Sequence, residues 1–284
     1  MWKIYFISFI IILIILMEAD RCRSYSYTLN DYYYNLFPLP VIGVYNSIVR
    51  LVHPYHTHNF DVNMFKSHHI MQSAWRSMRM EALQLYKKKD KLQSFRNLNN
   101  YGFGDIDPLD SNQTGKWKVF VLKWYDKPLQ NALKYCPETI KTIMKCPDVH
   151  IAMFSILEPG KYIPEHKGPF TGCLRYHLGL QIPYDRENCY INVNKERFHW
   201  SEGSAFIFDD TYVHSVYNNT NEPRIILFVD IERPMITPLR QINQYGISKA
   251  SLMKYVKELN DKSEETKELF KNYDLDDNIY ISNH

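Results

Sequence analysis

Cysteine is scarce, with five in 284 residues. No two stand at CxxC spacing, which excludes a disulfide-built scaffold and a zinc ribbon. Glycine (10) and proline (14) are too few for a collagenous or low-complexity chain, and 45% hydrophobic with 15% aromatic residues excludes wholesale disorder. Neither sign of charge dominates. Lys and Arg number 34 against 31 Asp and Glu, a net +3, so no phosphate-tracking surface is indicated and nucleic acid is not an expected partner. No apolar run reaches the about 18 residues of a membrane span. What the chain does have is length for one or two domains at roughly 150 residues each, and eleven histidines.

The longest apolar run, residues 4–17 (IYFISFIIILIILM), follows Lys3 and stops at the charged stretch Glu18 to Arg23. As a helix it reaches about 21 Å, against about 30 Å of bilayer hydrocarbon. Its length suits the core of a signal peptide, about 7 to 15 residues, although no A-x-A stands nearby and Cys22-Arg23-Ser24 is a weak substitute. Residues 1–23 are therefore expected to form a signal peptide or a signal anchor. That places the rest in the secretory pathway or at a membrane such as the endoplasmic reticulum, or outside the cell if the leader is cut. Two triplets, Asn112-Gln-Thr114 and Asn218-Asn-Thr220, fit the N-glycosylation pattern.

Residues 24–58 are Tyr- and Pro-rich without periodicity and read as an irregular arm or stalk, in which Tyr32, Tyr33, Tyr34 and Phe37 offer a membrane contact. A helical lead-in is expected over 59–115. Met64, Met71, Trp75, Met78, Ala82 and Leu85 recur at helical spacing up to the lysines 87–89, and a Gly- and Asn-rich loop follows over 97–115. Residues 117–124 alternate as a strand does, and Pro137 opens a short helix to Met144. Cys136 and Cys146 bracket that helix and would be able to bridge in an oxidising compartment. Ile151–Leu157, Leu174–Ile182, Tyr190–Val193, Ala205–Phe208 and Arg224–Ile231 are short β-rich runs between turns. The fold class is mainly β with flanking helices, a sandwich or jelly-roll barrel over 117–235 inside a domain of 59–240. Residues 241–284 form a charged tail, helical over 247–273.

Among the histidines, His53, His56 and His58 fall in the arm, His68 and His69 on the helix, and His150 and His199 carry no partner pattern. Three stand apart: His166 after the Glu158-Pro-Gly160 turn, His177 in mid-strand, and His214 at the end of FIFDDTYVH. Two histidines from separate strands of a β-barrel suit an iron site, since imidazole is a good Fe(II) ligand and strands fix its position. Arg175 and His177, at i and i+2, share a strand face. Arg224 opens the strand after His214. A buried arginine needs a carboxylate, supplied by a ligand acid or by Asp209, Asp210 or Asp230.

The text FSILEPG, HKGP, LRYHLGLQIP, Trp200-Ser-Glu-Gly203, FIFDDTYVHSV and RIILFVDIERPM resembles the aspartyl/asparaginyl β-hydroxylase family of Fe(II)- and 2-oxoglutarate-dependent dioxygenases. The likeness runs from Trp117 to Met235, over 40% of the chain. KWKVFVLKWY, CPETI, LRYHLGL and DIERPM look closer to the lipid A hydroxylase branch than to the branch acting on EGF-like domains. The resemblance implies a double-stranded β-helix, a cupin-like jelly roll. It implies His166 and His214 as iron ligands in the catalytic centre, Arg224 as partner of the distal carboxylate of 2-oxoglutarate, assisted by Ser155, and Arg175 and His177 at the other end of the cosubstrate. The acidic third ligand of the usual triad is replaced by Gly168, as in the EGF-hydroxylating branch. Loss of outer-shell partners alone costs about 10- to 100-fold in metal affinity, so Fe(II) is expected to bind weakly without cosubstrate. Tight calorimetric binding of Fe(II) alone would contradict this.

With Fe(II), 2-oxoglutarate and O2, the implied activity is hydroxylation of an unactivated C–H, in Asp or Asn side chains of a protein substrate or in a lipid acyl chain, with the membrane met through the N-terminal segment. Two other readings compete. One is a catalytically silent jelly-roll binding protein whose iron site has decayed, and the other a zinc hydrolase, which lacks a third ligand.

Overall fold

A computed structural model describes residues 2–23, 39–52, 57–89, 92–94, 117–125 and 127–250. Two antiparallel sheets carry the fold. The larger joins β1 (Asn59–Phe60), β10 (Ala205–Phe208), β7 (Cys173–Gln181), β12 (Arg224–Glu232), β5 (Val149–Leu157), β3 (Trp117–Trp124) and β2 (Gln93–Ser94) in that order, with β4 (Lys127–Pro128) on β3. The smaller joins β6 (Tyr162–His166), β11 (His214–Asn218), β8 (Cys189–Val193) and β9 (Glu196–His199). The alternation between sheets along the chain is that of a jelly roll, as expected.

The central strands of the larger sheet are buried on both faces, and their sequences explain why. In β7, Arg175 and His177 face the space between the sheets, while Leu174, Tyr176, Leu178 and Leu180 face outward and are buried. That outer face is covered by α3 (Lys66–Ser73) and α4 (Trp75–Tyr86), whose Met71, Met78, Ala82 and Leu85 form its cover. The helical spacing from Met71 to Leu85 is thus carried by two helices, broken at Ala74. A third piece, α6 (Pro137–Ile143) after α5 (Gln130–Tyr135), packs beside them, and Glu81 of α4 accepts hydrogen bonds from the Glu138 and Thr139 amides at its N-terminus. Pro137 sits in the first turn of α6, where no amide is needed.

Two expectations need correction. The arm is not irregular throughout: residues 39–52 form α2 (Leu39–Val52), which packs on α1 (Trp2–Arg23). Asn46, Ser47 and Arg50 share one face and apolar residues fill the other, a helical pattern set inside Tyr- and Pro-rich text. The tail helix begins earlier than expected, as α7 (Thr237–Ala250), and residues 251–284 lie outside the described residues, as do Tyr32 to Phe37, residues 97–115 and Asn112. All five cysteines are free thiols, Cys136 and Cys146 included, and burial pushes both of these thiols up.

The second glycosylation triplet is structural instead. Asn218 is fully buried, and its Nδ2 donates to the carbonyls of Leu157 (3.0 Å), Glu158 (3.2 Å) and Glu222 (2.9 Å), while Oδ1 accepts from the Thr220 hydroxyl (2.7 Å). It ties the ends of β5, β11 and β12 together. A glycan there is incompatible with this packing. Asn218→Ala removes all of these bonds, although Lys161 N and Thr220 Oγ1 still donate to the Glu158 and Glu222 carbonyls; at about 1–3 kcal/mol in all, the melting temperature should fall by roughly 2–12 °C. A loss under 2 °C by calorimetry, on the same scale, would refute the role.

Candidate active site

Between the sheets lies an open cavity whose empty space, its mouth to solvent included, is about 780 Å³. Alternate residues of each strand reach it: Ile151, Met153 and Ser155 from β5, Arg175 and His177 from β7, Arg224, Phe228 and Asp230 from β12, and His166, His214 and Val216 from the smaller sheet.

His166 and His214 are directly opposite each other on the paired strands β6 and β11. This register brings side chains 48 residues apart in sequence into contact, with ring centroids 4.0 Å apart. Each ring bonds through Nδ1 to the carbonyl two residues before it, Pro164 at 2.8 Å and Tyr212 at 2.9 Å. A carbonyl only accepts, so Nδ1 carries the hydrogen and Nε2 keeps the lone pair. Burial drives both basicities down, to about 3 for His166, where His214 adds repulsion, and to about 4 for His214. Both are neutral at physiological pH, the form in which imidazole binds a metal.

Arg224 is 2% exposed, and among the described residues no carboxylate pairs with it. Its Nη2 donates to Ser155 Oγ (3.2 Å), its guanidinium lies 4.8 Å from the Trp200 ring centre, and its Nε has no partner. Burial lowers its pKa to about 10. Ser155 Oγ also accepts from the Trp117 indole (3.0 Å), so both its lone pairs are engaged and its own hydrogen remains to be donated. His177 sits among Trp200, Phe206, Phe208 and Phe228. The Trp200 indole, a donor only, bonds its Nδ1 at 3.4 Å, which puts the hydrogen on the buried and unpartnered Nε2. Burial and the two nearby arginines keep this ring neutral. The cavity therefore offers three unmatched donors and one unmatched positive charge, the inventory that an organic acid satisfies.

Arg175 is different: of the partners left open for a buried arginine, it takes two of the aspartates. Its Nη1 pairs with Asp230 and its Nη2 with Asp210, each at 2.5 Å, and the guanidinium stacks 4.0 Å from the Phe228 ring centre. Asp230 is opposite Arg175 across the β7–β12 ladder, a relation that sequence spacing does not display. Burial raises the Asp230 carboxyl to about 6 against the opposing pull of Arg175.

Asp210 is the site residue that spacing alone passes over, since nothing there separates it from Asp209, which pairs elsewhere with Arg233. The Gly168 amide donates to the Asp210 carbonyl (2.7 Å), and a Cβ at Gly168 would lie 2.3 Å from the Asp210 carboxyl carbon. The place where an acidic ligand would start is filled by the carboxyl of another residue. Among the described residues no group of three His, Cys, Asp or Glu is arranged to hold a metal ion; the donors that the site offers a metal are the two opposed imidazoles of His166 and His214. Gly168→Asp should then lower the melting temperature by roughly 2–10 °C, as overpacking by about 1–3 kcal/mol does, without tightening Fe(II). Adding Asp210→Gly should recover the loss. A single variant that binds Fe(II) more tightly at unchanged stability would contradict the steric argument.

The profile of the aspartyl/asparaginyl beta-hydroxylase family matches residues 72–234, more than half the chain and all of the strands that line this cavity. The chain belongs to that family. It is 34% identical over 194 residues to the ornithine lipid ester-linked acyl 2-hydroxylase of Rhizobium tropici, covering 68% of this chain and 67% of that protein. It is 36% identical over 138 residues to human aspartyl/asparaginyl beta-hydroxylase, covering 46% of this chain and only 18% of the human protein. A third relative, aspartate beta-hydroxylase domain-containing protein 2 of Xenopus tropicalis, is 32% identical over 137 residues, 45% of this chain and 36% of that protein. By relationship this family member is a hydroxylase.

Proposed function

We propose that the chain is an Fe(II)- and 2-oxoglutarate-dependent dioxygenase that hydroxylates an unactivated C–H of a lipid acyl chain. The observation that carries the cosubstrate is the buried, carboxylate-free Arg224 beside the Ser155 hydroxyl. Together they bind one carboxylate of 2-oxoglutarate by a charge pair and a donated hydrogen bond. The Nε2 hydrogen of His177 serves its other end. His166 and His214 hold iron through Nε2, each oriented by its carbonyl. Iron with 2-oxoglutarate and O2 supplies the oxidising chemistry, in which R–H, O2 and 2-oxoglutarate become R–OH, CO2 and succinate. The walls keep water out and fix the substrate.

Charge supports the acyl chain as substrate. Once 2-oxoglutarate occupies Arg224, the remaining guanidinium, Arg175, is matched by two carboxylates. Among the described lining residues an aspartate side chain would meet no free cation, whereas Ile151, Met153, Ile163, Ile191 and Val216 suit a hydrocarbon. The two-way coverage of the Rhizobium relative points the same way. No helix among the described residues is long and apolar enough to cross a membrane, and the outward apolar surface of α1 supports contact with one.

The test is succinate released on adding Fe(II) and 2-oxoglutarate with ester-linked acyl lipids or with Asp- and Asn-containing peptides. Lipid-dependent succinate is expected. Peptide-dependent succinate would transfer the substrate to protein, and failure to bind 2-oxoglutarate would leave a silent binding protein.

A further inference from the structure

α1 exposes large apolar side chains on all its sides: Trp2 is 90% exposed, and Ile4, Phe6, Ile7, Ile11 and Ile15 are likewise open. α2 covers only part of it. The other end of α1 is polar and built into the protein. Asp20, 4% exposed, accepts from Asn46 Nδ2 (3.2 Å) and Arg50 Nη1 (2.5 Å) of α2, and the Leu16 carbonyl accepts from Ser47 (2.8 Å). Asn46 reaches on to the catalytic domain. Its Nδ2 donates to the Pro169 carbonyl (2.8 Å), and its Oδ1 accepts from the amide and hydroxyl of Thr171, both at 2.9 Å. Tyr45 stacks on Phe170 at 5.5 Å. These contacts grip the segment Gly168–Gly172, of which Gly168 and Pro169 line the cavity. From the other side, Asn243 of α7 donates to the Gly172 carbonyl (3.0 Å).

We propose that the α1–α2 hairpin is a bilayer-inserted arm, retained in the working protein, that holds the Gly168–Gly172 rim and with it the cavity mouth at the lipid surface. A protein partner covers a stripe of a helix, but α1 has no stripe, and a helix apolar on every side is matched by a medium that surrounds it. The apolar stretch of about 21 Å enters roughly two thirds of the hydrocarbon without crossing it. Retention follows from Asp20: removal of α1 would leave Arg50 without this carboxylate and Asn46 without this acceptor. Among the described side chains at the base, Arg21 pairs with Glu18 (2.7 Å) and Arg50 with Asp20 (2.5 Å), so insertion is driven by apolar burial more than by anionic headgroups. The arm extends the lipid reading of the cavity and is tested without turnover.

The experiment floats the full chain, released from mild detergent, with phosphatidylcholine vesicles. Most of the protein should rise with the vesicles, unchanged in about 0.5 M NaCl, where charges more than about 5 Å apart are screened, and its intact mass should include α1. Ile7→Asp/Ile11→Asp/Ile14→Asp should stay below at unaltered circular dichroism. Amide exchange over 168–172 should slow about tenfold on vesicle addition in the wild type. Asn46→Ala, which still carries α1, should float without that slowing. A wild-type chain that stays at the bottom, a triple variant that floats, or a mature mass lacking Asp20 overturns the arm. Vesicle-dependent protection in Asn46→Ala overturns its connection to the rim. An α1-dependent oligomer with no flotation would make a second copy the occupant and overturn the lipid assignment. None of these readings needs succinate, so an inactive but floating protein would refute the dioxygenase and leave the arm standing.

Discussion

Arg224→Met raises the 2-oxoglutarate concentration needed for half-maximal turnover by about 30-fold or more, while the ligand-free protein melts no lower than wild type. The two halves of this result have one cause. Arg224 is 2% exposed, is matched by no carboxylate among the described residues, and has its pKa lowered to about 10 by burial. Without ligand it is an uncompensated charge in a low-dielectric site, which a methionine of similar length replaces without that penalty. With ligand it forms a desolvated charge pair, and losing one partner of such a pair costs about 2–5 kcal/mol, a factor of roughly 30 to several thousand. 2-Oxoglutarate should raise the melting temperature of the wild type and leave the variant unmoved. A structural arginine predicts the reverse: a variant several degrees less stable whose cosubstrate dependence is unchanged. Calorimetric melts with and without 2-oxoglutarate, read beside the kinetics, separate the two.

The same residues mark where reading from sequence succeeds and where it stops. Within one strand, alternation suffices. Arg175 and His177 share a face because they are two residues apart, and LRYHLGL is apolar on its other face because helices cover it. Across strands, register decides, and it is not written locally. Asp230 neutralises Arg175 from 55 residues away because β12 pairs with β7 in that alignment, and the His166–His214 contact depends on the β6–β11 register in the same way. Asp210 reaches the space at Gly168 through a turn whose path no periodicity encodes. The missed α2 has a different cause: its polar residues do share one face, but that face grips α1 and a loop of the barrel, and the Tyr- and Pro-rich text around it hides the periodicity.

His214→Ala should abolish succinate formation, by about three orders of magnitude or more, and His166→Ala should be equally severe. The symmetry follows from the missing third side chain. Where three protein groups hold a metal, losing one leaves two. Here losing either imidazole leaves one, because Gly168 contributes nothing and the Asp210 carboxylate is held by Arg175. Outer-shell losses alone cost about 10- to 100-fold in affinity, so removal of one of two direct ligands exceeds that range. Because the cosubstrate is expected to complete the site, calorimetry should find Fe(II) binding to the wild type weak alone and much tighter with 2-oxoglutarate, and absent in either variant under both conditions. Each substitution also opens a ring-sized space, so added imidazole should restore part of the binding to His214→Ala. A histidine that merely packed the cavity would give a destabilised protein with its iron affinity intact and no such rescue, and that outcome would move the metal away from this pair.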